Sequence, residues 1–158
     1  MTEPGPSLPP HVGRRDTWEP VTARFLCDRC GEPACTLTLL PPFAPDPQEP
    51  PSGASGSLPD AGRAFADAVR LSIDGPLNTT HTFLPGMTAG LPVLDAAMRA
   101  SDARAIHDLD REYAPFWCAS CSKSYCRACW VVWVEYDESF YDCTRGRCPE
   151  GHERIMDD

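Results

Sequence analysis

The cysteines are the residues of this sequence whose spacing most clearly indicates a chemistry. Three Cys-x2-Cys pairs and one Cys-x3-His pair supply eight candidate ligands: Cys27, Cys30, Cys118, Cys121, Cys126, Cys129, Cys148 and His152. The turn inside such a pair lets both ligand atoms face one point, and zinc prefers four thiolate or imidazole ligands in a tetrahedron. Because eight ligands fill two such sites, we predict two bound zinc ions.

Two further cysteines fall outside these pairs. Cys35 and Cys143 are predicted to be small buried hydrophobic residues, because an unpaired cysteine packs well in a protein core. Cys143 is also an alternative ligand in place of Cys148 or His152. The N-terminal residues show no basic segment followed by an apolar one, so we expect no secretory signal and a reducing, cytoplasmic environment. Metal ligation suits thiols in that environment better than a disulfide framework.

Catalytic interpretations have less support in the sequence. Cys126-Arg-Ala-Cys129 is a possible redox dithiol, but that motif belongs in a strand-to-helix turn and a strand is predicted after it. His107 is a possible base, and it is predicted to be a half-exposed helix residue instead. A catalytic zinc needs an open coordination position, which eight ligands for two ions do not leave. We therefore predict a non-enzymatic protein with structural zinc; a redox-sensing or catalytic zinc protein is the alternative.

The charge balance limits the partners. There are 14 Lys and Arg against 23 Asp and Glu, a formal net charge of −9. Affinity for nucleic acid comes largely from Lys and Arg on phosphates, so a nucleic-acid-binding zinc ribbon is an alternative of low rank. No window reaches eighteen apolar residues, which excludes a transmembrane helix. Another protein is the predicted partner, and a composition rich in Ala, Arg, Asp and Pro hints at a bacterial source.

The elements that must position the ligands are short. Residues 1–20 are predicted to be a disordered tail, and residues 21–158 a single domain interrupted by a proline-rich loop over 41–62. Strand composition occurs over 36–40, and the alternation of Val69, Leu71 and Ile73 with polar residues predicts a hairpin over 68–84.

Two helices and a C-terminal hairpin complete the prediction. Helical spacing of apolar residues places helices at about 92–100 and 103–110. Residues 130–136 and 140–143 have strand composition. Cys148-Pro149-Glu150-Gly151-His152 is predicted to form a tight turn in which Gly151 has a positive φ, anchoring the residues that follow. The fold class is a small α+β, mainly β domain, with zinc-ribbon-like hairpins and two short helices in the insertion.

Cys118-x2-Cys121-x4-Cys126-x2-Cys129, with Tyr125 before the third cysteine, resembles the central stretch of in-between-RING domains. It is also similar to the Cys-x4-Cys-x2-Cys stretch of RING fingers. The resemblance covers about 15 residues and departs at two positions: Lys123 stands where a RING has His, and Val134 where an in-between-RING domain has His. It implies a double zinc site, and ubiquitin-ligase activity does not carry over.

The resemblance also bears on how the four pairs combine. In the in-between-RING family this spacing joins the last ligands of one zinc to the first ligands of the next. That implies a sequential grouping, with Cys27, Cys30, Cys118 and Cys121 on one ion, as in a zinc ribbon with a long insertion, and the remaining four ligands on the other. The alternative is a cross-braced grouping, in which the first pair joins the third and the second joins the fourth.

Overall fold

The computed structural model describes residues 19–41, 68–84 and 89–157. These residues form a mainly β structure with three antiparallel sheets and two short helices, as the sequence predicts. The predicted disordered tail and the proline-rich loop lie outside the described residues, except for residues 19 and 20 of the tail and residue 41 of the loop. The assignment of residues 21–158 to a single domain stays a prediction.

The first sheet contains four antiparallel strands in chain order. They are β1 (Val21–Leu26), β2 (Pro33–Leu40), β3 (Val69–Asp74) and β4 (Thr79–Leu84). Burial alternates along β1 and β3, because one face of the sheet packs on the core while the other faces solvent. The predicted hairpin over 68–84 is confirmed, and the strand predicted over 36–40 begins earlier, at Pro33.

Two helices follow this sheet, and the first of them packs against β1 while the second packs against the first. Helices α1 (Leu91–Arg99) and α2 (Ala103–Leu109) agree with the prediction to within one residue, and a 3-10 helix (Arg111–Tyr113) follows. Asp102 begins α2, because its side-chain oxygen accepts a hydrogen bond from the backbone N–H of Ala105 at 3.0 Å. Among the described residues no helix is long and apolar enough to cross a membrane.

The two remaining sheets lie in the C-terminal part of the chain. A short hairpin pairs β5 (Trp117–Cys118) with β6 (Lys123–Ser124), and a three-stranded sheet has the order β7 (Val131–Asp137), β8 (Phe140–Arg147), β9 (Glu153–Asp157). The two strands predicted after residue 130 are confirmed, although β8 continues to Arg147. The residues after His152 are anchored as predicted, and they are anchored as a strand, β9.

Aromatic side chains in the core lie next to the candidate ligands. Phe25 stacks on Phe116 with ring centroids 4.5 Å apart, and Tyr125 meets Trp130 edge-on at 5.8 Å. Trp130 Nε1 also donates a hydrogen bond to the backbone oxygen of Tyr125 at 3.1 Å. Since these rings belong to one buried cluster, the core itself holds the ligand turns of the different sheets against one another.

Candidate metal centres

All eight predicted ligands come together, and they do so in two groups of four. Cluster 1 contains Cys27, Cys30, Cys126 and Cys129, and cluster 2 contains Cys118, Cys121, Cys148 and His152. Within each cluster the candidate ligand atoms all lie within 4.8 Å of one another. The first pair therefore joins the third and the second joins the fourth. The cross-braced alternative is confirmed, and the sequential grouping implied by the in-between-RING resemblance is wrong.

Strand β6 is the physical reason for the crosswise grouping. Cys118 and Cys121 lie at the turn that joins β5 to β6, whereas Cys126 follows the far end of β6. An extended chain advances about 3.3 Å per residue, so the residues between Cys121 and Cys126 carry the third pair well away from the second. The four residues between Cys121 and Cys126 therefore place these two cysteines in different clusters, at opposite ends of β6.

The turns from the rest of the chain reach this strand on both sides. The backbone N–H of Asp28 donates to the oxygen of Ser124 at 2.8 Å, and the N–H of Ser124 donates to Asp28 Oδ2 at 2.6 Å. Lys123 Nζ forms an ion pair with Glu150 Oε1 at 3.2 Å. The β1–β2 turn is therefore docked on β6 by two hydrogen bonds, and the β8–β9 turn by one exposed ion pair.

The interatomic distances suit tetrahedral zinc. Four sulfur ligands at about 2.3 Å from one ion are about 3.8 Å apart, and a sulfur and an imidazole nitrogen about 3.6 Å apart. In cluster 1, Cys30 Sγ lies 3.5 Å from Cys126 Sγ and 3.8 Å from Cys129 Sγ.

Cluster 2 has the same dimensions. His152 Nδ1 lies 3.8 Å from Cys118 Sγ and 3.6 Å from Cys148 Sγ, and the sulfur atoms of Cys121 and Cys148 are 4.0 Å apart. These separations match the edges of a tetrahedron around one ion, and they are far longer than the S–S bond of a disulfide, about 2.05 Å. Both clusters are consequently shaped to hold a metal ion.

The thiols of each cluster differ in acidity. Burial raises the pKa of the Cys27 thiol, but hydrogen bonds from the backbone N–H groups of Cys126, Arg29 and Cys30 lower it overall to about 6. Burial and the neighbouring thiols raise the pKa of Cys129 to about 12. Cluster 1 thus has a thiol that ionises readily beside one that ionises with difficulty, a pattern expected where like charges lie close together.

Cluster 2 repeats this contrast. For Cys148 burial opposes ionisation, but hydrogen bonds from the backbone of His152 and Glu150 lower the pKa of its thiol. Burial raises the pKa of Cys118 to about 11. A divalent cation between the four groups would favour the deprotonated form of all three thiols, because thiolates are the form that binds metal.

The family comparison assigns the chain. The model of a family described as a domain of unknown function, DUF8328, matches residues 19–158. The chain belongs to this family. No curated protein and no solved structure matches the chain. The match is to neither a zinc-ribbon nor an in-between-RING family, and both metal clusters lie within the DUF8328 domain.

The predicted turn at Cys148–His152 of the DUF8328 domain is confirmed. The backbone N–H of Cys148 donates to the oxygen of His152, and that of Gly151 to the oxygen of Cys148, both at 2.9 Å. Gly151 has φ +91°. In the β1–β2 turn Gly31 has φ +78°, and its N–H donates to the oxygen of Cys27 at 2.9 Å. A glycine in the left-handed region thus reverses the chain in the outermost turn of each cluster.

Three arginines, Arg145, Arg147 and Arg154, lie in strands β8 and β9 of the C-terminal sheet. Arg147 pairs with Glu153 at 2.6 Å, and Arg145 pairs with Glu135 at 2.9 Å. Arg154 forms no ion pair in the described part of the domain. Its guanidinium donates to backbone oxygens instead: those of Arg111, Ala114, Trp117 and Ile155.

The two remaining cysteines lie outside both clusters. Cys35 is buried in the core, and burial raises the pKa of its thiol. Cys143 is also buried, with its Sγ 3.7 Å from Glu135 Oε2. It lies beside Glu135 and Asp142, not in cluster 2, so it does not replace Cys148 or His152 there. Their predicted role as small buried residues agrees with this placement.

Asp28 is a functional residue that the sequence analysis missed. It is the second residue of a Cys-x2-Cys turn, where a short carboxylate side chain often accepts hydrogen bonds from the nearby backbone. The other feature missed is the role of Arg154, whose contacts with backbone oxygens join β9 to the 3-10 helix and β5. The position of Asp28 inside a Cys-x2-Cys turn could have indicated its hydrogen bond. The neighbours of Arg154 in the sequence do not indicate its contacts, because the carbonyl groups that it binds belong to distant residues.

We expect Asp28→Ala to destabilise the metal-loaded domain by about 1–3 kcal/mol, because it leaves the backbone N–H of buried Ser124 without an acceptor. Denaturant unfolding of the zinc-loaded protein measures the change. Glu32→Ala, at an exposed position of the same turn, is the matched control and should change the free energy of unfolding by less than about 0.5 kcal/mol. Equal stabilities of the two variants would show that the docking of the turn does not depend on the Asp28 side chain.

Proposed function

We propose that the DUF8328 domain binds two zinc ions, one in each cluster, and serves inside the cell as a non-enzymatic module that binds another protein. The observation that carries the zinc proposal is the crosswise pair of four-ligand clusters, whose ligand separations match those around tetrahedral zinc. Sulfur-rich tetrahedral sites favour zinc over oxygen-preferring cations such as magnesium and calcium.

A structural role for the metal is supported by the number of ligands. Each cluster supplies four protein side chains, which complete a tetrahedron and leave no position for water or substrate. The ions would then act on folding, since each one fixes two turns that belong to different parts of the chain. The metal ions would then add to the stability that the hydrophobic core provides.

The surface supports a protein partner more than a small-molecule substrate. Two shallow cavities among the described residues measure about 300 and 280 Å³, at or below the lower limit of typical ligand pockets. Thiolate ligation also makes the domain more acidic. A site with four thiolates adds −2 and one with three thiolates and His adds −1, which moves the formal charge from −9 to about −12 and disfavours nucleic acid.

Elemental analysis tests the zinc proposal. Protein purified in reducing buffer without chelator is expected to contain two zinc ions per chain. The double variant Cys35→Ala/Cys143→Ala is the matched control and should keep both ions, because these cysteines lie outside the two clusters. Less than one equivalent of zinc in the fresh wild-type protein would overturn the proposal, and loss of zinc from the control variant would overturn the ligand assignment.

A further inference from the structure

Strand β7 forms one edge of the C-terminal sheet. The strand order is β7-β8-β9, and within the described ranges no strand pairs with the outer side of β7. An edge strand presents a row of unpaired backbone N–H and C=O groups, which can pair with a strand from another chain. Soluble proteins usually protect such an edge with lysine, proline or a covering segment. The sequence of β7, Val-Val-Trp-Val-Glu-Tyr-Asp, contains neither lysine nor proline.

The β7–β8 hairpin also exposes large apolar side chains. Val131 is 62% exposed, Tyr136 68% and Phe140 79%, although residues of these types are normally partly covered. Tyr136 lies opposite Tyr141, whose hydroxyl group is held by Asp157 Oδ2 at 2.8 Å. The hairpin therefore presents an ordered aromatic surface.

The turn of this hairpin stiffens the surface further. Glu138 and Ser139 have φ of 46° and 79°, the pair of positive values that characterises the two-residue turn best matched to twisted strands. A rigid hairpin loses little conformational entropy when it binds, which favours its use as a docking element.

The tip of the hairpin carries uncompensated negative charge. Asp137, Glu138 and Asp142 are exposed, and no arginine or lysine in the described part of the chain forms an ion pair with them. The nearest acidic neighbour on β7, Glu135, is already paired with Arg145. Three exposed carboxylates beside exposed aromatic rings attract lysine and arginine, both through their charge and through the ring faces.

We propose that β7 accepts, as an added strand, an extended segment of a partner protein in which lysine or arginine alternates with apolar residues. This inference rests on the proposed function as a protein-binding module and identifies its binding surface. Backbone hydrogen bonds along the β7 edge provide the pairing, and apolar side chains of the segment pack on Val134 and Tyr136. Its basic side chains meet Asp137, Glu138 and Asp142.

A second copy of the domain is a poorer occupant of the same edge. Both copies would bring the same three carboxylates and a formal net charge of −9 each, so their association is opposed by repulsion. A basic segment gains from the same charges. Charge complementarity therefore favours the binding of a basic segment at the β7 edge over the association of two copies of the domain.

A defined peptide tests the proposal. The probe is a fluorescein-labelled peptide in which lysine and valine alternate, and its binding to the zinc-loaded protein is followed by fluorescence anisotropy. Asp137→Asn/Glu138→Gln/Asp142→Asn should weaken binding by about tenfold or more, since three attractive charges are lost. Glu19→Gln/Glu32→Gln/Asp108→Asn removes the same charge at exposed positions elsewhere and should change the affinity less than about twofold. Methylation of alternate backbone nitrogens of the peptide, which blocks strand pairing without changing its charge, should abolish binding.

Hydrogen exchange locates the contact: amides of residues 131–137 should be protected by the peptide. The proposal is overturned if the control triple variant weakens binding as much as the tip variant, if the methylated peptide binds equally well, or if the protein without peptide self-associates through β7. It is also overturned if protein with two zinc ions does not bind the probe. Zinc measured in the same samples separates the two proposals, because protein without zinc would refute the proposed function instead.

Discussion

Removal of the metal by a strong chelator should unfold the DUF8328 domain, not merely loosen its turns. Cluster 1 joins the β1–β2 turn to the segment between β6 and β7, and cluster 2 joins the β5–β6 turn to the β8–β9 turn. Without the ions, closely spaced thiols remain in these contacts. Binding of structural zinc is worth about 10–16 kcal/mol in small zinc-finger peptides, as much as the whole stability of a typical domain, about 5–15 kcal/mol. The expected result is loss of amide chemical-shift dispersion in NMR spectra and of the cooperative thermal transition.

The chelator preloaded with zinc is the control for effects unrelated to metal removal, and it should leave the spectrum unchanged. Adding zinc back under reducing conditions should restore the native spectrum, because no covalent change has occurred. A metal-free protein that keeps native dispersion and a cooperative transition would contradict a structural role for the clusters. That result would mean that the four-stranded sheet and its helices fold stably without metal.

The second large effect concerns which cysteines share an ion. Two quadruple serine variants each remove four thiols: the first lacks Cys27, Cys30, Cys126 and Cys129, and the second lacks Cys27, Cys30, Cys118 and Cys121. The crosswise grouping predicts that the first variant keeps one zinc ion, because cluster 2 is intact. The second should keep none, since both clusters lose two ligands. Zinc per chain after dialysis in reducing buffer measures the difference.

Cobalt substitution gives a second measurement of the grouping, which reports the ligands of the remaining site even in a variant that is less stable than the wild-type protein. Cys126→Ser/Cys129→Ser should retain a cobalt site with three thiolates and one imidazole, whose thiolate-to-metal charge-transfer absorption is weaker than that of the four-thiolate site that a sequential grouping would leave. A sequential grouping would reverse the zinc counts of the two quadruple variants: both sites would be lost in the first, and one would survive in the second. That outcome would contradict the arrangement in the structure.

Most of the secondary structure could be predicted from local sequence patterns. The hairpin at β3 and β4 follows from the alternation of Val69, Leu71 and Ile73, and α2 follows from its cap at Asp102. The ligands could be named because paired spacing is a local property. Their grouping could not, because it depends on whether the four residues after Cys121 turn back or extend, and β6 has only two residues, Lys123–Ser124.

The remaining features depend on contacts between distant parts of the chain. Strand β9 is paired with β8 at a close approach: a Cβ atom at Gly146 would overlap Met156 Sδ and lie 3.1 Å from the ring of Trp130. Arg154, which reaches the backbone oxygens of Ala114 and Arg111, belongs to the same strand. The local sequence around Gly146 or Arg154 does not indicate either contact, because the residues that they contact belong to other elements of the structure.

The crosswise grouping has a consequence for synthesis on the ribosome. Cys27 and Cys30 are translated about a hundred residues before their partners Cys126 and Cys129, an interval of about 5–20 s at 5–20 residues per second. Cys118 and Cys121 are translated before Cys126 and Cys129. Together with Cys27 and Cys30 they supply four metal ligands in a grouping that the folded domain does not have. The nascent chain therefore meets a mispaired metal site before the native one is available. Its yield of correctly assembled domain should depend on zinc arriving late, or on exchange between sites after residue 152 has been added.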